Sequence, residues 1–438
     1  MPSFVSAMSA HSVSFVNWIR TNLAVILLIT TLFLFISKSL YNLPIGIMAV
    51  LGAWYSFRHA RRILRDLFMR NYILLFLCLW IPLLVSFADT VTYGRSAETV
   101  FPYLRFLFFG IYVLYEIRNP GVLDKIQTVV FILVAFWCID AVVQLLFSID
   151  LFGYPYRPGD ITGMFYPRNT IAHVTACLSP FYFEVIRKRS DRLRWLWLLL
   201  LPLVIVILCS GRRAAWIMFA VSCAGYLYYL CKLPGFNAPI RKRIMPIAVV
   251  IGVVCATAIA THQPLQDRIT NTMGIFSGDY QEFDMATARR LPIWNTAVAM
   301  FKDNWINGVG ARGFRYAYRQ YGGPDDYWIK SGGLLPTTQP HQIILEVLAE
   351  TGMIGAAGLV LLVYVFYRLV NDNNLFFNTY PCLLAIFVAI FPFNTNMAFY
   401  GSYWASMFWW LVVLAVLSGS LITAHAETVI EDSRAIRR

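Results

Sequence analysis

Charge is scarce in this chain of 438 residues: Asp, Glu, Lys and Arg together make up 13% of it, about half of the roughly 25% usual in soluble domains. So little charge excludes a surface bathed everywhere in water. Acidic residues are the scarcer sign, 23 against 36 basic ones, for a net charge of +13. The basic residues stand in short clusters between apolar runs, where they set topology against anionic lipid headgroups. They form no stripe of the kind nucleic acid requires, and no nucleic-acid partner is expected. Cys-x-x-Cys is absent, and the eight cysteines fall inside or at the ends of apolar runs, which excludes a disulfide scaffold and a structural zinc site. Internal repeats and low-complexity tracts are missing. The N-terminal stretch shows no cleavable-signal pattern, and the first apolar run is long enough to anchor.

What is present is hydrophobic sequence, 59% of the chain. At about 20 apolar residues per crossing, it divides into about twelve spans. They lie near 22–40, 43–57, 72–88, 98–117, 126–149, 170–186, 195–209, 214–231, 244–261, 353–370, 376–393 and 403–422. The expected fold is an all-α polytopic membrane protein. It has spans one to nine in 1–261, one large loop over 262–340, and spans ten to twelve with a tail in 341–438. Basic clusters after the second span (Arg58 to Arg70), the sixth (Arg187 to Arg194) and the eighth (Lys232, Arg241, Lys242, Arg243), and Arg437 and Arg438 at the end, fall on one side by this count. That side, with both termini, is expected to be cytoplasmic.

The opposite face carries the polar residues of interest. In Ser210-Gly211-Arg212-Arg213, two arginines break the charge rule and open a helix, where the dipole disfavours a cation. Beside exposed backbone N–H groups they form an anion grip, or they snorkel to headgroups. Within the large loop, Leu291, Trp294, Val298 and Phe301 share a helical face, so an amphipathic surface helix is expected over 287–302, opened by Arg289 and Arg290. Arg168 precedes the sixth span on the same face. His341, after Gln339-Pro340, starts the helix that follows the loop, where the dipole keeps imidazole neutral and able to take a proton. Glu346 and Glu350 lie one and two turns further and need a cationic or polar partner at that depth. Arg105 and Asp140 are a candidate interhelical pair. Asp279, Glu282, Asp284, Asp325 and Asp326 lack metal-ligand spacing and read as a solvated loop face; no metal is expected.

Taken in order, Arg290-x-x-x-Trp294, Trp305-Ile306-Asn307-Gly308-Val309-Gly310, His341-Gln342-x-x-Leu345-Glu346 and Glu350-Thr351-Gly352-x-x-Gly355 resemble the signature of bacterial O-antigen ligases and the related O-antigen polymerases. Ser210-Gly211-Arg212-Arg213-Ala214-Ala215-Trp216 resembles that superfamily's Ser-Arg-Gly-Ala-Trp-like element, with Arg213 as the family arginine and Arg212 replacing a small polar residue. Gln342 stands where the family more often has Asn. The resemblance implies a GT-C-like glycosyltransferase of the bacterial inner membrane, with its site on the periplasmic face and short amphipathic helices in the large periplasmic loop. An undecaprenyl-pyrophosphate-linked glycan would be the donor, and a sugar hydroxyl of lipid A–core the acceptor. Transfer would be inverting, without metal or other cofactor. His341, Arg213 and Arg290 would be catalytic; Arg212, Arg289 and Arg168 would add to pyrophosphate binding; Gln339, Glu346 and Glu350 would support them. Membrane lipids are the remaining partners. An O-antigen polymerase or a protein O-oligosaccharyltransferase is the alternative within the superfamily, and a secondary transporter the alternative outside it.

Overall fold

The computed structural model describes residues 22–233, 249–250, 252–253, 255–331, 337–369, 373–393 and 397–436. Every extended element among them is a helix. The first group is α1 (Asn22–Ile36), α2 (Asn42–Arg65), α3 (Leu67–Ser86), α4 (Tyr93–Glu116), α5 (Gly121–Phe147), α6 (Ile171–Arg189), α7 (Arg194–Cys209) and α8 (Arg213–Lys232). The large loop contributes α9 (Gln263–Met273), α10 (Tyr280–Ala286), α11 (Leu291–Asp303), α12 (Phe314–Tyr321) and α13 (Tyr327–Lys330). The chain returns to the bundle through α14 (Ile343–Leu369), α15 (Asn373–Ala389) and α16 (Ser402–Ile436).

Six helices among the described residues, α3, α4, α5, α8, α14 and Ser402–Ala424 of α16, are long and apolar enough to cross a membrane, and α1, α7 and Leu375–Ala389 are shorter apolar helices. This is a multi-pass membrane protein. The expected ninth span and the basic residues Arg241, Lys242, Arg243, Arg437 and Arg438 lie partly or wholly outside the described residues. Helices apolar on all sides go to the centre of a bundle, and α6 and α16 do so: Ile171 to Tyr182 and Trp404 to Leu417 are continuously buried. Two basic clusters do share one end of the bundle. There Arg118 reaches Asp66 at 3.9 Å, and Lys188 and Arg189 reach Asp124 at 3.7 and 3.0 Å.

At the other end, two of the glycine motifs interlock. Val309 and Gly310 donate backbone N–H bonds to the Ala349 and Glu350 carbonyls (2.8 and 3.1 Å), and Met353 and Ile354 donate to the Trp305 and Ile306 carbonyls (2.8 and 3.1 Å). The break in α14 at Gly352 (φ 61°, ψ −155°) frees those groups from the helix, and the loop takes them up, as buried backbone polar groups require. Contact this close leaves no room for side chains. A Cβ on Gly352 would stand 2.4 Å from the Ile306 carbonyl, and one on Gly308 2.4 Å from the Glu350 carbonyl carbon. Gly352→Ala is therefore expected to lower stability by at least the about 1–3 kcal/mol that such a backbone conformation costs other residues. A detergent-solubilised variant that unfolds at the wild-type temperature would refute the interlock.

The expected surface helix starts later than 287, at Leu291, because Ala288 and Arg289 adopt positive φ (60° and 57°) and Asp284 accepts the Leu291 N–H at 3.2 Å. Its buried face is also turned from the expected stripe: Ile293, Thr296, Ala297 and Met300 face the protein, whereas Val298 is exposed. The first face packs on α14; the expected stripe is more open. The acidic residues of the loop are not all solvated. Asp326 is buried and accepts the Tyr318 hydroxyl and the Trp328 N–H, each at 2.8 Å.

Candidate functional site

Four arginines converge where the bundle meets α9, α10 and α11. Arg212 and Arg213 sit at the start of α8, Arg268 on α9, and Arg290 at the start of α11. The chain reaches this arrangement through specific bonds. Asp160, from the loop between α5 and α6, pairs with Arg212 at 3.0 Å. Asn169 donates to Asp160 and, at 2.8 Å, to the Ser210 carbonyl, fixing that loop to the turn before α8. Arg213 donates through Nη1 to Thr272 Oγ1 (3.1 Å) and to the Ala286 carbonyl, clamping α9 and α10 onto the bundle.

Arg290 is treated differently. Among the described residues its guanidinium has no hydrogen bond and no carboxylate, and its nearest charges are Arg213 and Arg212. Burial, then repulsion from those two arginines, pushes its pKa down to about 10. It remains a cation at neutral pH, held where only an anion would relieve it. One turn along α11 the Trp294 indole N–H is also buried without a partner. Arg290-x-x-x-Trp294 thus holds two unused donors, when most buried polar groups are satisfied.

His173, which sequence reasoning passed over, belongs here. It is fully buried near the start of α6, neither ring nitrogen has a hydrogen-bond partner, and Arg212 and Arg290 are its charged neighbours. A histidine inside an apolar run was a legible signal. Arg268 gave none: its proximity to Arg213 and Gly211 comes only from how α9 docks.

His341 stands just before α14 with φ 56°, and Gln339 Nε2 lies 3.4 Å from its Nδ1. Gln342 caps the helix by accepting the Leu345 N–H, a task an amide oxygen of Asn or Gln can do. Ile293, Ala297 and Met300 of α11 cluster with Leu345 and Ala349 of α14, while the loop after α11 bonds to Ala349 through Ile354. Arg290 stands at the start of α11 and His341 just before α14.

Other expected site residues are engaged elsewhere. Arg168 donates to the Phe35, Ile36 and Ser37 carbonyls at 3.5, 3.3 and 2.6 Å and lies 4.6 Å from the Tyr403 ring centre. A cation at the carboxyl end of α1 is where the helix dipole favours it. Arg289 is exposed and stacks on Tyr327 at 3.9 Å. Glu346 and Glu350 find their arginine in Arg312, unforeseen from sequence: its Nη1 is 3.7 Å from Glu346, and its backbone N–H donates to Glu350 at 2.8 Å. Glu346 also accepts the Phe399 and Tyr400 N–H groups (3.0 and 3.2 Å). Arg105 and Asp140 do not pair. Arg105 donates to Ser402 at 2.8 Å, and Asp140 accepts the Leu151 and Met164 N–H groups at 3.1 and 2.9 Å. No group of three or more His, Cys, Asp or Glu poised to hold a metal occurs among the described residues.

The bundle end thus gathers four arginines, of which Arg212 is paired with Asp160 and Arg290 has no carboxylate partner among the described residues, with His173 beside Arg212 and Arg290. Residues 197–360 match the Wzy_C family model, described as O-antigen ligase. That match spans the arginine turn, the large loop, His341 and the glycine interlock. No curated protein matches the chain.

Proposed function

We propose that this protein is an O-antigen ligase, transferring a glycan from undecaprenyl pyrophosphate to a sugar hydroxyl of lipid A–core. The observation that carries the reading is Arg290, a largely buried guanidinium whose nearest charges are arginines and which has no carboxylate partner among the described residues. As the bond from the anomeric carbon to the pyrophosphate oxygen breaks, its electron pair passes to the pyrophosphate. Fixed cations lower the cost of that charge most in a site closed to water. Arg290 and Arg213, with Arg212 and Arg268 around them, would bind the departing group, and guanidinium forks suit phosphate oxygens. The acceptor hydroxyl attacks from the opposite face, inverting the centre, and its proton goes to His341. Gln339 would orient that imidazole. The arginines supply the charge that a divalent ion otherwise would, so transfer is metal-independent on this reading.

The same reading places twelve spans in the inner membrane in a GT-C-like arrangement, both termini in the cytoplasm and the site on the periplasmic face. The test is reconstitution of purified protein with lipid-linked glycan and lipid A–core in the presence of a chelator. Glycan on lipid A–core is the expected product. Substrate flux without transfer would replace the reading with transport, and single repeat units left on core after deletion of the protein would replace it with polymerisation.

A further inference from the structure

A second arginine-lined site lies between the loop-bearing end of α4, the loop residue Arg312 and the start of α16. A cavity of about 100 Å³ there is lined by Arg95, Arg105, Arg312, Tyr103, Tyr400 and Ser402, with Glu98 beside them. This volume is several times the about 10–15 Å³ that admits one water, so the cavity takes a small polar group. Arg95 is offset by Glu98 at 2.9 Å, and Arg312 by Glu346 at 3.7 Å with Glu350 also beside it. Arg105 has no acidic partner among the described residues. Both Arg105 Nε and Arg312 Nη1 are buried without a hydrogen-bond partner. Side chains on a helix lean toward its N-terminus, so Arg105 on α4 leans toward the loop-bearing end. It meets Ser402 there at 2.8 Å.

Ser402 also faces the other way. Its Oγ lies 3.4 Å from Asn42 Oδ1 and 3.2 Å from the Tyr41 hydroxyl. Asn42 heads a shallow, open groove along α2, continued by Leu43, Gly46, Ile47, Val50 and Leu51. Leu43, Ile47 and Val50 are exposed. One serine thus joins an arginine-lined cavity to an apolar groove on a helix at the membrane. A polar head beside an apolar channel matches one kind of molecule, an anionic amphiphile.

We propose that this composite site binds a lipid bearing a phosphomonoester, with its phosphate among Arg105, Arg312 and Arg95 and its chain along α2. The site shares no residue with the Arg212, Arg213, Arg268 and Arg290 cluster and stands or falls separately from glycan transfer. Tetrahedral oxyanions suit guanidinium donors arriving from several elements, and each buried donor left unpaired by the protein gains a partner.

The test uses the full-length protein in detergent, with phosphatidic acid, phosphatidylcholine and inorganic phosphate as probes, read by retention in native mass spectrometry and by thermal shift. Arg105→Gln removes the acid-free cation. Gly46→Trp places an indole in the groove at a position where a Cβ meets no atom within 4 Å, and thermal unfolding of the variant checks its fold. Phosphatidic acid is expected to bind at least tenfold tighter than phosphatidylcholine. Arg105→Gln should weaken phosphatidic acid and inorganic phosphate alike by about tenfold, and Gly46→Trp should weaken only phosphatidic acid. Equal binding of the two lipids, or wild-type binding of phosphatidic acid by either folded variant, would overturn the proposal; binding of inorganic phosphate alone would assign the cavity to a soluble ion instead.

Discussion

Arg290→Ala lowers the rate of glycan transfer by about 10²–10³-fold, the scale seen when one preorganised donor to a developing oxyanion is removed, and leaves the fold intact. The second half follows from the structure. Among the described residues the Arg290 side chain bonds to nothing, and its removal relieves desolvation and repulsion at the start of α11. Loss of activity without loss of thermal stability is the signature of a group placed for a ligand, because a structural arginine would lose both. Arg290→Lys keeps the charge but not the fork, so it should recover only part of the rate. Arg213→Ala should also abolish transfer, but with a structural component, since Arg213 ties down α9 and α10 through Thr272 and Ala286. Steady-state kinetics beside thermal unfolding of each variant separates the two cases; an Arg290→Ala enzyme with unchanged turnover removes Arg290 from the chemistry.

His341→Ala lowers turnover by about 10²–10⁴-fold, the usual contribution of a positioned general base, with little change in donor affinity. His341 precedes α14, and the cap is made by Gln342, so the helix start survives the substitution. A kinetic split tests the role. Lost turnover with retained donor binding assigns proton transfer from the acceptor, whereas a variant that loses donor affinity and keeps turnover makes His341 a pyrophosphate ligand and contradicts the base assignment. Gln339→Leu should give a smaller loss of the same kind, since Gln339 touches the ring at Nδ1.

The long apolar runs made the bundle readable, because a spanning helix needs little beyond length and hydrophobicity. Reading was weaker wherever the answer lay in tertiary contact. The Trp305–Gly310 and Glu350–Gly355 segments were visible as glycine motifs, but their purpose, two backbones exchanging hydrogen bonds across a broken helix, required the fold. Arg105 and Asp140 each found a nearer partner than the other, because local backbone amides at Leu151 and Met164 reach Asp140 first. Arg168 was legible as a cation on the right face, yet the carbonyls ending α1 claim it. His173 and Arg268 complete the cluster from α6 and α9, elements remote in sequence from the turn they face. Short helices were expected in the large loop, but α9, α10 and α12 were not placed individually, because each makes about three turns or fewer, too few for a periodic pattern to be counted.

The central claim is that these arginines hold a pyrophosphate, and equilibrium binding of undecaprenyl pyrophosphate to purified wild-type and Arg290→Ala protein tests it most directly. Wild-type protein should bind the pyrophosphate lipid well above the corresponding alcohol, with Arg290→Ala weakening it by at least tenfold. Equal affinity of the wild type for pyrophosphate lipid and alcohol, or of the two proteins for the pyrophosphate lipid, would contradict the account.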